Sequence, residues 1–182
     1  RGALGWRTAA SGARYSGGRP LPACAWGRLL PRGFVRYPPL RWAREGAGLP
    51  YRVACPPFEA RPPEHLAPQP FVEAPWLTDG DVSIFESGAI IQYIGEQSEV
   101  LLPRDPQGRY RAIQWTYAAL NSVEPAILNL LLIDVFFKGE EWATLRRPGA
   151  EEFAKLQLKR VSDWRGCQDW VADRFTIANP HM

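Results

Sequence analysis

Histidine, cysteine and methionine are all scarce, with two, three and one of them in 182 residues. His65 and His181 lie too far apart for a recognisable metal constellation, so no metal is expected. Cys24, Cys55 and Cys167 are an odd number without Cys-x-x-Cys spacing. That indicates neither a disulfide framework nor a zinc site and makes the reduced cytoplasm the expected compartment. Long apolar runs are missing too. The longest, Ala126 to Phe137, is interrupted by Asn129 and Asp134 and falls short of the ~20 residues of a membrane-spanning helix, so no membrane partner is expected.

Acidic residues are absent from the first 44 positions, which hold nine of the 22 basic residues. The formal net charge of +3 therefore hides an acidic body, in which 13 basic residues face 19 acidic ones. Nucleic-acid binding draws its affinity mainly from neutralised phosphates, so no nucleic-acid partner is expected. Residues 1–33 are rich in Gly, Ala, Arg, Pro and Ser without an apolar period. They fit an Arg-rich transit peptide, a disordered extension, or sequence unrelated to the domain that follows. What is abundant is apolar material, 46% of the chain, enough for one large domain or two small ones with their own cores.

The most legible stretch runs from Ala74 to Gln97. Trp76-Leu77 and Val82 to Phe85 suit neighbouring strands, and Thr78-Asp79-Gly80-Asp81 between them carries the Asp-Gly pair that favours a hairpin. After Phe85 the period changes from two to about 3.6, with Ala89, Ile90, Tyr93 and Ile94 on one helical face. Glu86-Ser87 sits at the entrance of that helix. A Ser there caps the orphan backbone donors, or, with the exposed N–H groups and the positive end of the dipole, holds a carboxylate.

The order of Pro75, strand, Asp-Gly turn, strand, Glu86-Ser87 and helix resembles the glutathione-binding half of the soluble glutathione transferases. The resemblance runs from about Gly48 to Asn179. It implies an α/β thioredoxin-like N-terminal domain followed by an all-α helical C-terminal domain. The implied divisions are an extension over 1–33, the glutathione-binding domain over 34–98, a linker over 99–106 and a shortened helical domain over 107–182. Glutathione would be the co-substrate, with its thiolate attacking a small electrophile, and a homodimer would be the assembly. Ala74 would pair main chain to main chain with glutathione beside a cis Pro75. Ser87 would bind its α-carboxylate, and Glu86 its α-amino group. Val72, Glu73 and Ala74 replace the Gly-Gln-Val of the family's run before that proline.

The family places its thiol-activating Ser, Tyr or Cys just before its first helix. Here those positions read Pro31-Arg32-Gly33, and the nearest hydroxyl or thiol groups are Tyr37 and Cys24. No catalytic residue is assigned. A non-catalytic member that binds glutathione or a protein is the alternative, and the motif alone also leaves an unrelated α/β protein open. The first helix should start only after Pro39 or be broken there, because interior prolines cost about 3 kcal/mol each, and should end at a C-cap at Gly48. Tyr51 to Cys55 should form a strand, and the proline-rich Pro56 to Phe71 a loop.

In the second half, a helix from about Gln107 to Gly139 should present Ile113, Tyr117, Leu120, Ile127, Leu131 and Val135 on one face, with a kink at Pro125. A second, from about Gly149 to Val171, should turn Phe153, Leu156, Val161 and Trp164 inward. Tyr117 and Trp115 are candidates for lining an electrophile cleft. Thr176 to Asn179 resembles the family's capping box, with Asn in place of Asp.

Overall fold

The computed structural model describes residues 37–49, 51, 70–71 and 75–179. Contacts divide the chain into Arg1–Arg32 and Gly33–Met182, and every described residue lies in the second unit. Helix α1 spans Tyr37–Ala47 and therefore starts earlier than Pro39. Pro38 and Pro39 fall in its first turn, where the N–H groups have no intrahelical acceptor and a missing donor costs nothing. The helix ends as its sequence predicts. Gly48 takes φ +68, its N–H bonds Glu45 O at 3.1 Å, and Leu49 N–H reaches back to Arg44 O at 3.0 Å, the two bonds of a Schellman cap. Tyr51 stands alone among the described residues of the expected strand; Arg52 to Cys55 lie outside them.

Strands β1 (Trp76–Asp79) and β2 (Val82–Phe85) pair antiparallel, from Trp76 opposite Phe85 to Asp79 opposite Val82. The turn is thus Gly80-Asp81, one residue later than the Asp-Gly pair suggests. Gly80 sits at the first central position with φ +59, the place in a two-residue turn that only glycine fills without strain. Leu77 and Ile84, a cross-strand pair, face the core.

Helix α2 (Ser87–Glu96) buries Ile90, Ile91 and Ile94. Ala89, expected on that face, is exposed, and Tyr93 is only half-buried. Gly88 and Gly95 complete the inner face because their missing side chains allow close approach. A Cβ on Gly95 would lie 2.6 Å from Ile177 Cγ2 and 3.2 Å from Leu102 Cβ. Gly95→Ala is expected to lower stability by about 1–3 kcal/mol, the usual cost of overpacking. Urea titration checks it, and an unchanged midpoint would mean that Ile177 moves aside freely.

The core joins α1 (Leu40, Ala43) and α2 to Leu101 and Leu102, to Ala112 and to Ile177. Segment 99–106 therefore carries core residues, with Leu101, Leu102 and Pro103 buried. Asp105 caps α3 (Pro106–Ala118) by accepting from Gly108 N at 2.6 Å, with Pro106 in the first helical position. A π-helical turn (Ala119–Val123) leads into α4 (Glu124–Leu131), and a second (Leu132–Phe136) ends the rod. Pro125, where a kink is expected, stands second in α4, directly after the first π-turn. A widened turn absorbs the hydrogen bond that proline removes. By length and composition the whole stretch Pro106–Phe136 is long and apolar enough to cross a membrane, which corrects the reading taken from the apolar run alone; the core helix of a soluble protein passes the same test.

The buried residues of the rod are Ala112, Thr116, Ala119, Ala126 and Ile133, whereas Tyr117, Ile127 and Val135 are exposed. Each π-turn inserts one residue and rotates the face that follows, so a single 3.6-residue period drawn from 113 to 135 drifts off the seam. Helix α5 (Glu141–Arg165) begins two turns before Gly149, with Pro148 inside it, and ends at Gly166. Its buried residues are Ala143, Ala150 and Ala154, the first two clustered with Leu130 and Ile133 of the rod; Phe153, Leu156 and Trp164, expected inward, are about half exposed. Small residues bring the two backbones together, and the bulky ones flank that seam.

Arg147 on α5 binds Asp134 at 2.7 Å and Glu151 at 2.7 Å, and Lys155 binds Glu151 at 2.6 Å. Lys155 first and Arg147 second hold the Glu151 carboxyl below its ordinary range. A depressed folded pKa contributes stability that is complete above the unfolded value and lost as pH falls through the folded one. Melts of wild type and Glu151→Gln should therefore differ at neutral pH and converge below about pH 4, the ordinary glutamate range. A constant difference would contradict the pairing.

Near the C-terminus, Thr176 N–H donates to Asn179 Oδ1 at 2.7 Å, and Ala178 N–H donates to Thr176 Oγ1 at 3.3 Å. The capping box expected from the sequence is formed, with an amide oxygen in place of a carboxylate. Thr176 is fully buried, and Ile177 N–H bonds Leu101 O at 2.9 Å, tying this turn to the core.

Candidate functional site

The hairpin register places the expected site residues. Trp76 pairs with Phe85, so Pro75 before β1 and Glu86 after β2 flank the same end of the ladder. Pro75 is buried; Ala74 and its peptide bond to Pro75 lie outside the described residues, as do Val72 and Glu73. The turn into α2 is abrupt. Glu86 occupies the N-cap position with φ 71 and ψ 120, and its side chain makes no capping hydrogen bond.

Ser87 is the first helical residue, not the N-cap, and is 1% exposed. A non-glycine residue at this φ and ψ stores about 1–3 kcal/mol, which persists only where surrounding structure imposes it and is concentrated at functional sites. Ile90 N–H, bonded to Glu86 O at 2.9 Å, is the first intrahelical donor. The earlier amides of the turn, with the positive end of the dipole, are aimed out of the helix where an anion can meet them.

Contacts between segments around the hairpin and α2 escape a reading by period. The side chain of Leu120, from the first π-turn, rests on Gly88, where an added Cβ would be 2.7 Å from its Cδ1. Asp79, at the far end of β1, accepts from Arg44 Nη2 at 3.4 Å and from Tyr93 O–H at 3.3 Å. Arg44, on α1, is almost buried. Desolvation, and then the Asp79 carboxylate, hold the Tyr93 phenol above its ordinary value. Tyr51 likewise titrates high, through burial and its 2.6 Å bond to Glu45. Only the charge pattern of Arg44 and Asp79 could have signalled the contact, and it carries no spacing rule.

The two candidates for an electrophile cleft are not brought together. Tyr117 faces α2, its hydroxyl 3.4 Å from Gln92 Oε1, while the Trp115 ring lies 5.4 Å from Trp164 of α5, and its Nε1 has no acceptor among the described residues. Two positions apart on one helix, they point to different neighbours. Tyr37 is the first residue of α1; Cys24 and Pro31 to Gly33 lie outside the described residues. Among the described residues no cluster of three or more His, Cys, Asp or Glu could hold a metal.

This hairpin and helix, followed by a long helical hairpin, define a thioredoxin-like domain joined to an all-helical one. Residues 33–96 match the family model "Glutathione S-transferase, N-terminal domain". Glutathione S-transferase F10 of Arabidopsis thaliana is 44% identical over 82 residues, covering 43% of this chain and 38% of that protein. The fold is shared with a glutathione transferase from Burkholderia graminis solved with two glutathione molecules per subunit (TM-score 0.72, 25% identity, 79% of this chain and 64% of the other). It is also shared with a glutathione transferase from Pseudomonas putida solved with glutathione disulfide bound (TM-score 0.70, 26% identity, 79% and 66%). The chain is similar to the glutathione S-transferases, with the family model matching residues 33–96. It spans about two fifths of the length of that Arabidopsis relative.

Proposed function

We propose that the protein binds glutathione at the corner between β2 and α2 and transfers its thiolate to a small electrophile. The observation that carries the reading is the Glu86-Ser87 corner: a strained residue, a buried serine in the first helical position, and helix amides beside them at the proline end of the hairpin. Ser87 and the amides take the α-carboxylate through charge-assisted bonds, Glu86 takes the α-amino group, and the backbone of Ala74, before Pro75, pairs with the cysteinyl residue. The first two contacts hold the γ-glutamyl end of the tripeptide, and the third holds its central cysteine. Solved relatives of the same fold hold glutathione or its disulfide.

The chemistry requires a hydrogen-bond donor that lowers the thiol's pKa so that the thiolate is populated near neutral pH. Pro31-Arg32-Gly33 offers no hydroxyl or thiol for that, and this favours a second reading, a binding protein without turnover. Retention on immobilised glutathione tests the site. A conjugation assay with a generic aromatic electrophile separates the readings: turnover above the uncatalysed rate removes the second, and retention without turnover removes the first. Under either reading we take the protein to be cytoplasmic, a homodimer, and divided near residues 99–106 into its two parts. A role in detoxification follows from the transfer reaction.

A further inference from the structure

We propose that Asp79 is a positioning residue, which holds the glutathione-binding corner in its strained shape from the opposite end of the hairpin. The inference rests on the glutathione reading and adds to it a residue outside the corner. A strained backbone such as Glu86 at φ 71 and ψ 120 relaxes unless the elements on both sides are fixed. Those elements are the hairpin and α2, and Glu86 is the joint between them.

At the joint itself Glu86 has no side-chain cap to hold it. The tie lies elsewhere. Asp79 closes the ladder opposite Val82, four residues before Glu86 along β2, and its Oδ2 accepts from the Tyr93 hydroxyl, which rises from α2 nearly two turns after Ser87. Hairpin, joint and helix form a triangle whose third side is this hydrogen bond. The same oxygen accepts from Arg44 at 3.4 Å, so the triangle is anchored to α1 by a guanidinium that packing holds in place. Asp79 itself is about two fifths exposed and lies outside the apolar core, so its removal leaves no cavity.

The test uses the full chain, with glutathione as the probe in calorimetric titration and amide exchange at Ile90, whose N–H bonds the carbonyl of Glu86, as a ligand-free readout. Tyr93→Phe and Asp79→Ala should each weaken glutathione binding by about fivefold, the factor that one net hydrogen bond supplies. Each should also speed exchange at Ile90 while leaving that of Ile94 unchanged. The double variant should bind no more weakly than Asp79→Ala alone, and Asp79→Asn, which keeps an acceptor oxygen, should restore most of the affinity. Wild-type affinity and wild-type exchange at Ile90 in both single variants would overturn the proposal, and so would weakening that is matched by faster exchange throughout α2. If the wild type does not bind glutathione, the functional reading falls. Exchange at Ile90 then decides the positioning role alone.

Discussion

Ser87→Ala is expected to weaken glutathione binding by about 10- to 100-fold, the range spanned by one hydrogen bond to a charged group. The serine stands first in α2, is buried, and follows a residue whose backbone is bent away from any ordinary helix entry. In the proposed site its hydroxyl acts beside the amides of the same turn, so alanine removes one donor and leaves the dipole. Calorimetric titration measures the loss, with a thermal melt of each protein to show that the fold is kept. Unchanged affinity in a folded variant would mean that the α-carboxylate is held by other groups.

Ile94→Ala is expected to cost about 2–5 kcal/mol, the range for removing a fully buried aliphatic side chain when its surroundings close up only in part. Ile94 is 1% exposed and packs in the one core that joins α1, α2, Leu101, Leu102 and Ile177. Its neighbours are positioned by backbone contacts, such as that of Ile177 N–H to Leu101 O, which limits how far they can collapse. Because small domains are stable by only 5–15 kcal/mol, the variant should be partly unfolded at modest urea concentrations. A loss below about 1 kcal/mol would show that this interior is loosely packed and would weaken the claim that α2 is rigidly seated.

Local chemistry made part of this fold readable. The hairpin, the entry of α2 and the Gly48 cap each depend on a backbone rule that a few residues state outright. The capping box at Thr176 is equally local. What could not be read was phase and partner. Helix seams built from Ala112, Ala119, Ala126, Ala143, Ala150 and Ala154 look weakly apolar beside Ile127, Phe153 or Trp164, so a reading that ranks residues by size turns the helix the wrong way. The two π-turns add to the error, because they shift the period without leaving a mark in composition. At the candidate site the pair Glu86-Ser87 was legible, whereas the strain at Glu86 and the tie through Asp79 depend on contacts between segments that no spacing encodes.

The account depends on an anionic tripeptide meeting the amino end of α2, and amide chemical shifts recorded while glutathione is added to the labelled protein test this most directly. Saturable shifts concentrated at Ser87, Gly88 and Ala89, with smaller ones at the start of β1, are the predicted result. Shifts that never saturate, or that gather instead along Trp142 and Phe153 of α5, would contradict it.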